Sequence, residues 1–303
     1  MDAIVVRDLT RSYGPVRAVD GVSFSVQSGE IFALLGPNGA GKTTIVEILE
    51  GYRTRDGGEV RVLGVDPATG GRAYRERIGV VLQSAGFEED FTVRELVRLQ
   101  ASLYPRRHDV AEVIDMVELT DKADVRVKAL SGGQRRRLDL ALGLIGAPEL
   151  LFLDEPTTGL DPAARRRAWD LIQQQRKMGT TVLLTTHYIE EAQELADRVA
   201  VLRSGRLVAL GTPDDLRAKS PLTGTISFRV PPGVTLRQLP DLSGHLHIDG
   251  RQVKVFTPAP VADTWRLTGW AVQSGVDLGE FAVSPPTLEE VYLALTGEAG
   301  HGR

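Results

Sequence analysis

The chain has 303 residues, 42% of them apolar and 25% charged, with a formal net charge of −4 and no cysteine. Such a chain holds one large domain with a smaller one, or two of medium size; its mild acidity argues against a dedicated nucleic-acid binder, and the missing cysteines exclude disulfides, thiolate metal sites and a cysteine nucleophile. No apolar run approaches the ~18 residues of a membrane span, and Met1-Asp2-Ala3-Ile4 lacks the basic-then-apolar order of a secretory leader, so a soluble, cytoplasmic chain is expected, with any membrane link made through a partner.

Residues 3–6 and 22–26 alternate as half-buried strands do, and 31–35 is a continuous apolar run of the buried-strand kind. Residues 45–49 have helical character. A turn at 56–58 leads into a strand at 59–63, and a further short strand at 78–82 ends at Gln83. Residues 84–130 read as a mainly helical insertion: Thr92 and Glu95 form a capping box ahead of Leu96, Leu99 and Leu103, and a second helix covers 110–117. Helix 133–146, strand 150–153, helix 162–177, strand 181–184 and a helix near 188–196 then alternate, which implies a parallel sheet flanked by helices. Segments 199–202 and 207–210 look like a closing hairpin, and Thr212-Pro213 starts a short helix.

After Lys219-Ser220-Pro221 the composition shifts. Strands at 225–230, 244–248, 252–257 and 277–283, with helices near 234–239 and 260–273, give the order β-α-β-β-α-β of a small ferredoxin-like unit. A last helix starts at the capping box Thr287-Leu288-Glu289-Glu290. The expected domains are therefore 1–219 and 220–303, and Trp265 and Trp270 read as core of the second.

The run Gly36-Pro37-Asn38-Gly39-Ala40-Gly41-Lys42-Thr43-Thr44 lies between an apolar strand and a helix, the context that a phosphate-binding G-x-x-x-x-G-K-[ST] loop requires. Glycines let successive N–H groups turn inward around an anion, and the helix points its partial positive end at the same place. Lys42 adds a full charge near the β- and γ-phosphates, and the Thr43 hydroxyl suits Mg²⁺. The strand Leu150-Leu151-Phe152-Leu153 delivers Asp154 beside that loop, where it suits Mg²⁺ through water. Glu155 points differently and is placed to orient or deprotonate an attacking water. Ser131-Gly132-Gly133-Gln134 is a capping box, but capping does not ask for two glycines between its partners. They strip side chains from a helix start and expose a second anion-binding surface. Arg135-Arg136-Arg137 is poorly placed for the helix dipole and reads as a solvated face rather than one that approaches phosphates or a membrane partner.

The phosphate loop, Gln83, Leu130 to Gln134, Leu150 to Glu155, Gly159-Leu160-Asp161 and His187 stand in one order. Over roughly residues 2–217 the chain resembles the ABC transporter ATPase subunit. The tail, with Pro286-Thr287-Leu288-Glu289-Glu290-Val291-Tyr292-Leu293-Ala294-Leu295-Thr296-Gly297, is similar to ATPases of ABC-2-type exporters, the daunorubicin-resistance group in particular.

The resemblance implies an α/β P-loop NTPase fold: a mostly parallel core sheet, an antiparallel β subdomain, the helical insertion, and a small C-terminal α+β domain. It implies ATP and Mg²⁺ as ligands. Tyr13 would stack on adenine, and Gln83 would touch Mg²⁺ or the attacking water and report nucleotide state to the insertion. Ser131 and Gly133, with Gly132 and Gln134 beside them, would bind the γ-phosphate of ATP held by a second copy. Asp161 would line that dimer interface, although before Pro162 it also reads as a plain N-cap. His187 would contact the γ-phosphate and position the water. Thr158-Gly159-Leu160-Asp161 departs from the more frequent Ser-Ala-Leu-Asp without removing a catalytic group. The function implied is the ATP-hydrolysing subunit of an exporter for a drug, lipid or similar compound, paired head to tail and seated on the cytoplasmic membrane face through separate permease subunits. An importer ATPase shares residues 2–217 almost fully. A simple P-loop kinase or GTPase leaves Leu130 to Gln134 without a reason, and ABC proteins acting on ribosomes or DNA usually carry a second ATPase unit or a long coiled coil, neither of which is seen.

Overall fold

Two long antiparallel strands, β1 (Asp2–Tyr13) and β2 (Val16–Gln27), open the chain. Both run well beyond their alternating segments. Their ladder slips register between Val6 and Leu9, again at Thr10, and between Arg11 and Ser12; each bulge breaks the period of two that marks a strand in sequence. The computed structural model describes residues 1–82, 86, 88–218, 223–235 and 238–296, the last four by backbone alone.

Next come β3 (Ile31–Leu35), α1 (Lys42–Leu49), β4 (Gly57–Val62), the one-turn α2 (Gly71–Arg75) and β5 (Ile78–Val81). The insertion carries α3 (Val93–Ala101), whose Thr92–Glu95 capping box forms as expected, and α4 (Val110–Met116). Then follow α5 (Gly132–Leu144), β6 (Leu150–Asp154), α6 (Pro162–Lys177), β7 (Thr181–Thr186), α7 (Ile189–Leu195), β8 (Arg198–Arg203) and β9 (Arg206–Gly211).

These strands make an antiparallel sheet β2-β1-β4 and a larger sheet β5-β6-β7-β3-β8-β9, in which neighbours from β5 to β8 run parallel. Every residue of β3, β6 and β7 is buried, as a sheet covered on both faces demands. The core joins both sheets, with Phe24 of β2 stacked on Phe32 of β3. Because β6, β7 and β3 are adjacent and parallel, the loops after their C-terminal ends converge on one edge of the sheet, where open α/β sheets bind ligands. This is the α/β architecture expected, down to the antiparallel subdomain and helical insertion.

One core residue stands out. Glu50, at the C-terminal end of α1, is 2% exposed and both its carboxyl oxygens lack a hydrogen-bond partner. Burial raises its pKa to about 8, with the charges of Asp154 and Glu47 adding to the effect. Below its ordinary value of 4.5 the carboxyl is protonated in both folded and unfolded chains. As pH rises from there to about 8 only the unfolded chain ionises and stability declines, by a few kcal/mol in all. Glu50→Gln should remove that slope: its melting temperature exceeds that of the wild type at pH 8.5 and approaches it near pH 5. Parallel melting curves for the two proteins across that range would contradict this account.

The chain divides into two compact units between Leu210 and Gly211, earlier than the composition shift at 219–221. In the second, α8 (Pro213–Ala218) packs on α10 (Leu288–Thr296). Strands β10 (Gly224–Arg229), β11 (His245–Asp249), β12 (Gln252–Thr257) and β13 (Gly279–Ser284) form an antiparallel sheet ordered β11-β12-β10-β13, with α9 (Pro260–Gln273) between the last two in sequence. Strand count and order agree with the ferredoxin-like expectation. The helix expected at 234–239 falls partly on 236–237, outside the described residues.

Thr287 and Glu290 form the anticipated reciprocal cap, and the Glu290 carboxylate also accepts from Thr225 of β10 at 2.7 Å. The reading of both tryptophans as core is corrected by half. Trp270 packs against the cluster around Ile226 and Phe228, but Trp265 is 75% exposed. Helical spacing puts Asp263, Leu267 and Ala271 on the buried face and Trp265 on the outer one.

Candidate active site

The loop after β3 has the conformation its glycines permit and little else does. Gly39 and Gly41 have φ of 80° and 98°. A Cβ on Gly41 would stand 2.3 Å from the Ala18 carbonyl oxygen, and one on Gly36 2.5 Å from that of Leu202; neither backbone atom can give way. Pro37 accepts from the Ala40 N–H at 3.2 Å, closing a tight turn whose tip, Asn38 and Gly39, is exposed. Gly41 caps α1, so Lys42, Thr43 and Thr44 form the helix's first turn, with the unpaired N–H groups and positive dipole end that attract phosphate.

Lys42 is 5% exposed. Its Nζ donates to the carbonyls of Gly36 (2.7 Å) and Pro37 (3.1 Å) and lies 3.8 Å from Glu155 Oε1. Burial pulls its pKa down, and the nearby charges of Glu155 and Asp154 oppose that without cancelling it. The ammonium is thus held at the loop by neutral acceptors that an anion can replace.

Asp154 ends β6 at 7% exposed and accepts a hydrogen bond from the Thr185 hydroxyl on β7. Burial first, then repulsion from Glu155, raises its pKa. Glu155 leaves the strand in the left-handed region, φ 46°, a conformation that costs a non-glycine residue of order 1 kcal/mol or more. Its N–H donates to the Thr185 carbonyl (3.2 Å) and hydroxyl (3.1 Å). Its carboxylate accepts from the Thr158 hydroxyl at 3.3 Å. His187, half-buried after β7, brings Nδ1 to 3.1 Å from Glu155 Oε1 without making a hydrogen bond. Lys42, Asp154, Glu155 and His187, read separately from the sequence, are therefore one cluster.

Ser131, Gln134 and Asp161 are not spent on that cluster. Ser131 and Gln134 cap α5 reciprocally (2.9 and 3.3 Å), and Asp161 caps α6 through the Ala164 N–H at 2.8 Å. Ser131 and Gly132 are exposed. Tyr13 ends β1 at 37% exposed, with the guanidinium carbons of Arg11 and Arg53 5.1 and 5.2 Å from its ring centre. Gln83 lies outside the described residues.

Two contributors were not legible in advance. Thr185 serves both acidic residues, and Arg136 overturns the reading of its run as a solvated face. Arg136 is 7% exposed and donates to four backbone carbonyls. Its neighbours are also engaged: Arg135 with the Lys128 carbonyl and Glu89, Arg137 with the carbonyls of Val117 and Glu118. Helix α5 turns these three successive side chains in three directions.

The residues present suit a nucleotide with a hard cation. Thr43 is exposed and carries a hydroxyl, and Asp154 is a buried carboxylate with one neutral donor named above. Among the described residues no three His, Asp or Glu side chains form a metal cage; Mg²⁺ held by one carboxylate and substrate phosphates requires none.

Known proteins carry the same design. Residues 19–158 match the ABC transporter family, and residues 224–287 match the C-terminal domain of ABC transporter domain-containing-like proteins. The chain is 39% identical to the daunorubicin resistance ATP-binding protein DrrA3 of Streptomyces coeruleorubidus, across 98% of this chain and 96% of that one. It is 40% identical to the Nod factor export ATP-binding protein I of Rhizobium meliloti (strain 1021), across 97% and 88%. A solved ATP-binding subunit of an ABC transporter superposes with a TM-score of 0.65 at 28% identity, covering 72% of this chain and 92% of its own. The chain belongs to the ABC transporter ATPases, and within them it is an ATP-hydrolysing subunit of the exporter kind.

Proposed function

We propose that two copies of this chain work as a head-to-tail pair, each ATP lying between residues 36–44 of one copy and Ser131 to Gln134 of the other, and that hydrolysis drives export through separate membrane subunits. The observation that carries this reading is the bare start of α5. Neither Gly132 nor Gly133 has the positive φ that would call for glycine; a Cβ on Gly132 would meet nothing within 4 Å, and one on Gly133 only Leu160 at 3.9 Å. Their smallness serves nothing within the chain, whereas it leaves helix N–H groups open to a phosphate from outside.

In the closed pair Lys42 would exchange the Gly36 and Pro37 carbonyls for phosphate oxygens. Glu155 would accept a proton as water attacks the γ-phosphorus in line and the bond to the ADP oxygen breaks, while His187 orients the water. Mg²⁺, which neutralises phosphate charge when bound, would be held by Thr43 and Asp154, together with Gln83. Tyr13 would stack on adenine. ATP would close the pair through contacts available only in the closed state, as any ligand-driven switch requires.

No helix among the described residues is long and apolar enough to cross a membrane, so transport requires partners, and we place the chain on the cytoplasmic face, bound to a permease. The unit that follows Leu210 is proposed as accessory to the ATPase. Inverted vesicles carrying the chain and its membrane partner should accumulate a hydrophobic efflux compound, with daunorubicin the first to try, when ATP is supplied. Lys42→Ala should abolish the accumulation. Vesicles that lose compound on ATP addition would instead identify an importer.

A further inference from the structure

The guanidinium of Arg136 spans three segments. Nε donates to the Pro156 carbonyl at 2.7 Å, Nη2 to those of Asp154 (3.0 Å) and Glu155 (2.9 Å), and Nη1 to that of Leu82 at 2.6 Å. Asp139, one turn along α5, lies 3.5 Å from Nη1 and supplies the counter-charge. A planar fork with five N–H groups suits this web of acceptors; a lysine, with three donors on one atom, cannot reproduce it.

What the fork holds is the strained turn that aims Glu155. That residue keeps its left-handed backbone because Thr185 binds its N–H from one side and Arg136 binds its carbonyl from the other. The same arginine sits five residues beyond Ser131, the N-cap of the same helix, and its fourth carbonyl, from Leu82, directly precedes Gln83 in sequence.

We propose that Arg136 is a positioning residue for hydrolysis, fixing the turn 154–156 to α5 so that the Glu155 carboxylate keeps its aim. The inference rests on Glu155 being the base. It acts through that carboxylate and touches no nucleotide, so its removal affects turnover rather than binding.

The test is a double-mutant cycle in the full chain with Mg-ATP as the probe. Arg136→Gln should lower kcat at least tenfold and change KM less than about twofold. In the Glu155→Gln background, measured by single-turnover phosphate release, the same change should cost less than about twofold, because no carboxylate remains to be aimed. Equal losses in both backgrounds, a rise in KM matching the loss in kcat, or an unchanged kcat would overturn the proposal. Arg136→Lys carries the same comparison should the glutamine variant fail to fold, with the same pattern at a smaller factor expected. Normal turnover by Glu155→Gln alone would strike at the choice of base instead.

Discussion

Glu155→Gln should bind ATP at least as tightly as the wild type, accumulate as an ATP-bound dimer and hydrolyse at least about 100-fold more slowly. The size follows from the role: general-base catalysis contributes roughly 10²–10⁴, and an amide cannot take the proton. Binding should survive because the loop conformation rests on Gly36, Gly39 and Gly41 and on Lys42's own bonds to loop carbonyls. It should even tighten slightly, since the substitution removes a negative charge 3.8 Å from Lys42 Nζ and beside the approaching phosphates. Steady-state phosphate release gives kcat, and gel filtration with and without Mg-ATP gives the dimer. Turnover within a few-fold of wild type would remove Glu155 from the role of base, and a variant that stays monomeric with ATP would detach hydrolysis from dimer opening.

The site was legible where chemistry imposes spacing. A phosphate loop needs its glycines and lysine in a fixed run, and a buried strand must end in its carboxylates, so Lys42, Asp154 and Glu155 could be read one by one. Their meeting was inferred from strand alternation and follows from the adjacency of β3, β7 and β6.

Residues acting through backbone partners were not legible. Arg136 looks like any arginine in a basic run, because its acceptors are carbonyls, which every residue has, at positions 18 to 20 places downstream and 54 upstream. Thr185 is one threonine among several on β7, and only the parallel register opposite Asp154 gives it a task. Trp265 failed for a related reason: aromaticity suggested core, but the face a helix buries is decided by its neighbours. The extent of β1 and β2 was hidden by bulges, and five-residue α2 is too short to show a period of 3.6.

Gly133→Asp separates the fold from the second half of the site, because the two respond with opposite signs. Within the chain the position is open: the nearest atom to an added Cβ is Leu160 Cδ2 at 3.9 Å. The residue is the second of α5, where aspartate is a slightly better helix former than glycine and its carboxylate gains from the dipole. The variant should therefore melt at or above the wild-type temperature, and as a monomer it should bind ATP normally. Between two copies the same carboxylate would face the γ-phosphate of the partner's ATP, and opposed like charges cost several kcal/mol. Its kcat should fall about 100-fold or more. Placed in the Glu155→Gln chain, it should leave no ATP-dependent dimer on gel filtration. A dimer that persists there would show that the start of α5 lies outside the nucleotide interface. Lost dimers from a protein that has also lost thermal stability would trace the effect to folding, against the open space that surrounds this glycine.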